Sequence, residues 1–148
     1  MKALLAAPVA AFVGLLGALS GAPSALCDPA GGAANPPAPS PPFIDHTEWT
    51  QLGGGLTSLR VFPTPSGRVA ASEPGTVASG DEAWAEVLAL SPDADTPGMR
   101  AQFDCHWQFA ELAQPGKTSW NLEPWRPVVD DAEMVASGCN PGGPEEAF

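Results

Sequence analysis

The sequence predicts a small single domain of the α+β class, with an N-terminal β-hairpin or meander followed by two or three short helices and one disulfide. Three observations support this prediction: a β-rich segment from Thr47 to Ser72, helix-start signals that begin at Ser79, and two cysteines, Cys105 and Cys139, in the C-terminal half. Once a predicted export signal and linker are set aside, about 100 residues remain, which is enough for one small domain.

The β-rich segment contains two predicted strands. LTSLRVFP at 56–63 is rich in β-branched and apolar residues, and GRVAA at 67–71 is its predicted hairpin partner. Residues 63–67, Pro-Thr-Pro-Ser-Gly, have the composition of a turn between the two strands. Gly53–Gly55 predicts a turn or bulge before the first long strand, and it lacks the later glycine, lysine and Ser/Thr of a phosphate-binding loop.

Capping residues predict the first two helices. Ser79 and Glu82 form a capping-box pattern, and apolar residues recur at helical spacing after them. This helix is expected to end near Ser91, which precedes a proline. Thr96 followed by Pro97 predicts the next start, because threonine is a frequent N-cap and proline is favoured at the first helical position.

The segment that follows Thr96 is ambiguous over 102–109. Its apolar residues fit helical spacing, but they also alternate with polar ones as in a strand, and we favour the helix. A third, short helix is predicted at 131–137, with Asp130 as its N-cap and Gly138 as the glycine that follows its end.

The chain is predicted to have three parts. Residues 1–27 resemble a signal peptide, with a short positive start, an uncharged apolar run and a region rich in small residues. Residues 28–45 form a proline-rich linker that cannot bury enough apolar surface to offset its chain entropy. Residues 46–148 are predicted to form the globular, disulfide-linked domain, which we expect to be secreted or held in the cell envelope.

The position of signal cleavage affects the cysteine count. A small-x-small pattern at Ala25 to Cys27 predicts cleavage before Asp28, which removes Cys27 and leaves an even number of cysteines. Alternatives are an earlier cut after Ser24, which would retain Cys27, and lipidation of Cys27, for which the bulky Leu26 is unfavourable. The sequence leaves these alternatives open.

The charge of the chain excludes one class of partner. It has 17 acidic residues against six Lys and Arg, a net charge of −11. Lys2 lies in the predicted signal, so a Lys/Arg surface for a phosphate backbone cannot be built, and neither nucleic acid nor an anionic membrane is an expected partner of the mature protein. We expect a monomer whose partner is an envelope or host ligand that the sequence does not identify.

The two cysteines of the predicted domain, Cys105 and Cys139, are 34 positions apart. In an exported chain the most economical prediction is a disulfide between them. The competing hypothesis is a nucleophilic Cys105 activated by His106. Neighbours on a helix point about 100° apart, so their adjacency does not indicate a Cys–His pair.

Neither a metal nor a cofactor is predicted. The only histidines, His46 and His106, are sixty positions apart, and the chain has neither an HExxH nor a CxxC motif. The acidic segment from Asp93 to Asp104 resembles a calcium loop, but Pro97 occupies a ligand position and Asp104 replaces the bidentate glutamate.

The segment WNLEPWRP at 120–127 supplies most of the candidate binding residues, which are Trp120, Glu123, Trp125 and Arg126, with His106 added from the preceding segment. Paired tryptophans can stack on sugar rings, and an arginine can pair with a carboxylate. The alternative is that both tryptophans belong to the core or its rim and that Glu123 and Arg126 form a local ion pair.

Three motifs carry a resemblance: CHW at 105–107, WNLEPWRP at 120–127 and CNPGG at 139–143. Together they resemble a family of small exported actinobacterial proteins that share a domain of unknown function, over about residues 80–143. The resemblance implies a secreted or envelope location and a linked cysteine pair. It implies no activity, so no catalytic residue is transferred.

The leading functional hypothesis is a non-enzymatic, exported binding or interaction module of the cell envelope. The second is a small secreted hydrolase acting on a wall polymer, with His106 and Glu123 as acid and base, which requires the two side chains within hydrogen-bond reach of one cleft. A third, a purely structural or inhibitory protein, would show the tryptophans buried.

Overall fold

A computed structural model describes residues 37–144, so the predicted signal peptide and the first half of the predicted linker lie outside the described residues. The described part has three strands and four α-helices, with 3-10 turns at Gly53–Gly55 and Pro92–Ala94. The elements, in chain order, are β1 Ile44–Gln51, β2 Thr57–Pro63, α1 Pro65–Ser72, α2 Val77–Leu90, α3 Pro97–Ala113, β3 Trp120–Leu122 and α4 Asp131–Ala136. The predicted α+β class, with an N-terminal β-hairpin and short helices, is confirmed.

The strands form one antiparallel sheet in the order β1-β2-β3. β1 and β2 are joined by the Gly53–Gly55 turn, in which Gly54 has a φ of 73°. β3 returns from the C-terminal half to the free edge of β2, where Leu59 lies opposite Leu122 and Val61 opposite Trp120. The sheet therefore joins strands from the N-terminal and the C-terminal half of the described residues.

The strand predicted at 67–71 is wrong, because these residues belong to α1. The Thr64 hydroxyl accepts a hydrogen bond from the Gly67 N–H at 2.9 Å, and Pro65 occupies the first helical turn. Thr64 is therefore the N-cap of α1, and Pro65 lies in the first turn, where an N–H group would have no partner within the helix. The partner of β2 is instead β1, which lies before it in the chain.

Of the other helix-start signals, those at Thr96 and Asp130 are confirmed and the one at Ser79 is wrong. The Thr96 hydroxyl accepts from the Met99 N–H at 3.2 Å, and the ambiguous segment 102–109 lies within α3. Asp130 caps α4 as predicted, by accepting from the Glu133 N–H at 2.9 Å. The predicted capping box at Ser79 is wrong, because α2 begins two residues earlier, at Val77.

The core lies between the sheet and the helices and is built around aromatic side chains. The rings of Phe103 and Trp120 have centroids 6.0 Å apart, and those of Trp107 and Trp120 are 6.1 Å apart in an edge-to-face arrangement. Such contacts add to the stabilisation from burial alone. Trp120 is fully buried, and so are Leu59 and Val61 of β2.

The chain enters the domain before β1. Phe43 and Ile44 are buried core residues, although composition assigns them to the linker. The carboxylate of Glu86, on α2, accepts hydrogen bonds from both of their N–H groups at 2.7 Å. The fold therefore fixes the chain from about this point onward.

Within residues 37–144, none of the helices combines the length and the apolar character needed to cross a membrane.

Candidate functional site

The side chains of α3 cover the free edge of β3. Gln102 Nε2 donates to the main-chain oxygen of Glu123 at 3.0 Å, and Gln102 Oε1 accepts from the Glu123 N–H at 2.9 Å. One helical turn later, His106 Nε2 is 3.2 Å from the main-chain oxygen of Asn121. Residues four apart on a helix share a face, so one face of α3 satisfies an edge that would otherwise present unpaired groups.

His106 is neutral and has a defined tautomer. Burial is the main cause that lowers its pKa from 6.5 to about 3, and the positive charges of Lys117 and Arg126 lower it further against the opposing hydrogen bond to Asn121. Since a carbonyl oxygen can only accept, Nε2 carries the proton. Nδ1 is therefore an unprotonated hydrogen-bond acceptor.

Glu123 and Arg126 form a buried ion pair. Arg126 Nε donates to Glu123 Oε2 at 2.6 Å, and both side chains have an exposure of 0%. The second carboxylate oxygen accepts from the Ser58 hydroxyl at 2.8 Å. Both oxygens of Glu123 are thus occupied by groups of the protein.

The remaining nitrogens of Arg126 hold the C-terminal loop. The guanidinium carbon of Arg126 lies 4.6 Å from the ring centroid of Trp125, in a cation–π contact. Trp125 Nε1 in turn donates to the main-chain oxygen of Thr57 at 3.0 Å. The guanidinium donates to four main-chain oxygens, those of Asn140 at 3.2 Å, Pro141 at 3.2 Å, Gly143 at 2.9 Å and Pro144 at 3.0 Å. The loop after α4 is therefore tied to the segment after β3.

The predicted disulfide joins Cys105 of α3 to Cys139 of the same loop, with Cα atoms 5.6 Å apart. Cys139 has a φ of 68°, in the left-handed region that residues other than glycine seldom adopt. Both cysteines pack with Met134 in a small second apolar cluster. Because Cys105 is oxidised, it is not a thiolate nucleophile in this structure.

The predicted site residues do not form a joint exposed surface. Trp120 and Glu123 have an exposure of 0%, Arg126 of 3% and His106 of 4%, while Trp125 is half-buried. Trp120 packs in the core, so it forms no stacking platform with Trp125. His106 bonds to Asn121, and Glu123 bonds to Ser58 and Arg126, so no hydrogen bond joins His106 to Glu123.

His106 nevertheless borders a surface pocket of about 300 Å³, which lies between the C-terminal half of α3 and the loop after α4. The pocket is mainly apolar, and its lining residues are Cys105, His106, Phe109, Ala110, Ala113, Gln114, Lys117, Val135, Gly138, Cys139 and Asn140. The sequence prediction found only His106 and the cysteines among them. The signal it missed is the i, i+4, i+8 spacing of Cys105, Phe109 and Ala113, which lines one helix face.

Asn140 contributes a second buried acceptor at the wall of this pocket. Its Nδ2 donates to the Gly138 oxygen at 2.8 Å, which fixes the orientation of the amide. Its Oδ1 is buried and has no hydrogen-bond partner among the described residues. An unsatisfied buried acceptor costs about 1–3 kcal/mol.

Fold and site together define a small, disulfide-stabilised α+β domain with a ligand-sized pocket beside its disulfide. Residues 44–142 match a family described as "Protein of unknown function (DUF2599)", and the chain belongs to that family. This confirms the resemblance to a domain of unknown function.

The relatives are mycobacterial, and therefore actinobacterial. The chain is 62% identical over 151 residues to uncharacterized proteins of Mycobacterium tuberculosis (strain ATCC 25618 / H37Rv) and Mycobacterium bovis, with 100% of each chain covered. It is 60% identical over 101 residues to an uncharacterized protein of Mycobacterium leprae, covering 68% of this chain and 80% of that one. No solved structure matches the chain.

Proposed function

We propose that this protein is an exported binding module of the cell envelope, and that its ligand is a small, largely apolar molecule that carries a hydrogen-bond donor. The observation that carries the proposal is the pocket of about 300 Å³ beside the disulfide, bordered by the neutral ring of His106. Ligand sites are concave and mostly apolar, with a few polar groups that orient the ligand, and volumes start at about 300 Å³.

The polar groups of the pocket set the chemistry of the ligand. The Nδ1 atom of His106 is an acceptor because Nε2 donates to Asn121. We take the side-chain oxygen of Asn140, a lining residue whose oxygen is buried and unpaired, as the second acceptor of the proposed site. A hydroxyl or N–H group on an otherwise apolar ligand complements these two acceptors. A ligand that carries only acceptors would leave them unpaired.

Export is supported by the N-terminal sequence and by the disulfide. Residues 1–27 have the three regions of a signal peptide. A disulfide such as Cys105–Cys139 forms and persists in oxidising compartments outside the cytosol. The intact mass of protein collected from culture medium tests this step: a chain that starts at Asp28 is expected, and retention of residues 1–27 would contradict export by cleavage.

The geometry favours binding over hydrolysis by the residues that the sequence suggested. Catalysis needs an acid and a base that reach the same substrate atoms. The Glu123 carboxylate is fully buried, with Arg126 and Ser58 on its two oxygens. It is therefore not available as the partner of His106.

Binding is tested with phenol and anisole as probes in an NMR titration of the mature protein. Phenol has a donor and anisole does not, so phenol is expected to bind about fivefold more tightly, the value of one net hydrogen bond. Shifts are expected at Ala110 and Gln114, which line the pocket. Absence of binding by both probes would contradict a ligand pocket at this place.

Two variants separate pocket binding from general surface binding. Ala113 and Ala136 are the last residues of α3 and α4, both are exposed, and only Ala113 is among the lining residues of this pocket. Ala113→Phe fills the pocket and is expected to abolish binding, whereas Ala136→Phe should leave it unchanged. Equal binding by the two variants would place the probe elsewhere.

A further inference from the structure

A second surface groove, between α3 and α4, adjoins the small-molecule pocket and shares Cys105, Phe109 and Val135 with it. Its volume is about 350 Å³, and its lining residues are Ala101, Asp104, Cys105, Gln108, Phe109, Val129, Asp131, Met134 and Val135. Phe109 is 37% exposed and Val135 is 50% exposed, although both are large apolar side chains. Contiguous exposed apolar side chains that are rimmed by polar ones are typical of interaction sites, whereas isolated ones are common on any surface.

The groove is acidic. Its charged lining residues are Asp104 and Asp131, and no lysine or arginine is among those that line it. Asp131 opens α4 next to the capping residue Asp130, and Glu133 follows in the same turn, so negative charge is concentrated at one end of the groove.

The arginines of the domain do not neutralise this end. Each of them makes its ion pair with another carboxylate of the described part of the chain: Arg60 with Glu48, Arg68 with Glu111, Arg100 with Asp81 and Asp104, and Arg126 with Glu123. Only Asp104 of the groove takes part in these pairs. The charge of Asp131 is therefore available to a partner.

The charge also selects the kind of partner. A second copy of this chain has the same strongly negative net charge, −11 over the full sequence, and like charges oppose association. A basic partner gains from the same field, both in its rate of encounter and in specificity.

We propose that the groove between α3 and α4 docks a basic amphipathic segment of another protein. An apolar side chain of that segment packs on Phe109 and Val135, and its lysine or arginine pairs with Asp131. This is the helix-in-groove mode of recognition, in which apolar anchors give affinity and flanking charges fix the orientation. The groove shares Phe109 and Val135 with the small-molecule pocket, but that pocket is more apolar and has Lys117 in place of the aspartates.

The test uses the mature protein and two synthetic helical peptides, one of leucine and lysine and one of leucine and glutamate in the same order. The dissociation constant is measured by fluorescence anisotropy at low and high salt. The Leu–Lys peptide is expected to bind with an affinity that falls as salt rises, and the Leu–Glu peptide is expected to bind at least tenfold more weakly. Equal affinities for the two peptides would overturn the proposal.

Matched variants locate the binding. Val135→Ala is expected to weaken the Leu–Lys peptide several-fold, whereas Val128→Ala, at a valine that is 69% exposed and outside the groove, should not. Asp131→Asn should weaken binding and reduce its salt dependence, whereas Asp93→Asn, in the turn before α3, should do neither. If groove and control variants bind alike, the peptide is held by overall charge and the proposed site is wrong.

Two further readouts keep the outcomes separate. Sedimentation of the mature protein alone tests the other occupant, and a dimer that Val135→Ala dissociates would replace the proposal with self-association. Phenol binding by Asp131→Asn should equal that of the parent protein, because Asp131 does not line the small-molecule pocket. Loss of peptide binding with retained phenol binding in Asp131→Asn therefore reports on the groove alone, because Phe109 and Val135 line both sites.

Discussion

Replacing Arg126 by glutamine is expected to destabilise the domain more than any change at its other ion pairs. The change removes the 2.6 Å ion pair with Glu123 and leaves that carboxylate buried with the Ser58 hydroxyl as its partner. It also removes donors from the main-chain oxygens of the loop after α4. A buried charge without its counter-ion costs about 3–5 kcal/mol.

The measurement is thermal and urea unfolding of Arg126→Gln beside Arg100→Gln. For a domain of this size each kcal/mol lowers Tm by about 4–8 °C, so a fall of more than about 12 °C is expected for Arg126→Gln. Arg100 pairs with Asp81 and Asp104, but these side chains are 35–60% exposed, and exposed pairs contribute about 0–1 kcal/mol. Equal losses in the two variants would refute the claim that burial makes the Glu123–Arg126 pair important.

Three further predictions concern the same fold. Because burial lowers the pKa of His106 to about 3, the unfolded state takes up a proton below pH 6.5 that the folded state does not. Unfolding free energy should therefore fall as pH drops from 6.5 towards 3, by up to about 1.4 kcal/mol per pH unit, and urea unfolding of His106→Gln should lack this component. Reduction of the Cys105–Cys139 disulfide should cost about 4 kcal/mol and lower Tm in calorimetry, whereas two thiols that alkylate without reductant would contradict the bridge. Gly67→Ala should cost about 2 kcal/mol or more in urea unfolding, because a Cβ there meets the backbone oxygen of the residue before β1, whereas Gly53→Ala meets nothing within 4 Å and should cost less.

Local capping signals explain which helices could be predicted. Thr96 and Asp130 each accept a hydrogen bond from an N–H three residues later, an interaction whose partners are close in sequence. The same Thr-Pro pattern that predicts α3 also occurs at Thr64, but the second proline and the glycine that follow it also have the composition of a turn. Reading both Thr-Pro pairs alike would have predicted α1 and assigned the hairpin partner of β2 to the residues before it.

The candidate site could be predicted less well, because its geometry depends on contacts between distant residues. Glu123 is buried by Ser58, which is 65 positions away, and Arg126 by oxygens up to 18 positions away. Tryptophan, glutamate and arginine are typical of binding surfaces, but the same residue types also form buried networks. For Glu123 and Arg126 the structure shows the structural alternative, a local ion pair, and not an exposed binding site.

Residues that support the fold and residues that line the candidate surfaces are different, and this difference can be tested with variants. The WNLEPWRP segment fixes the loop after α4 through Arg126, and the disulfide fixes the same loop to α3. That loop and α3 line the small-molecule pocket, while α3 and α4 line the acidic groove. The residues of WNLEPWRP therefore support the candidate surfaces without lining them. Changes in WNLEPWRP should lower stability and every binding activity together, whereas changes at Ala113 or Asp131, on exposed helix positions, should alter one binding activity with little effect on unfolding.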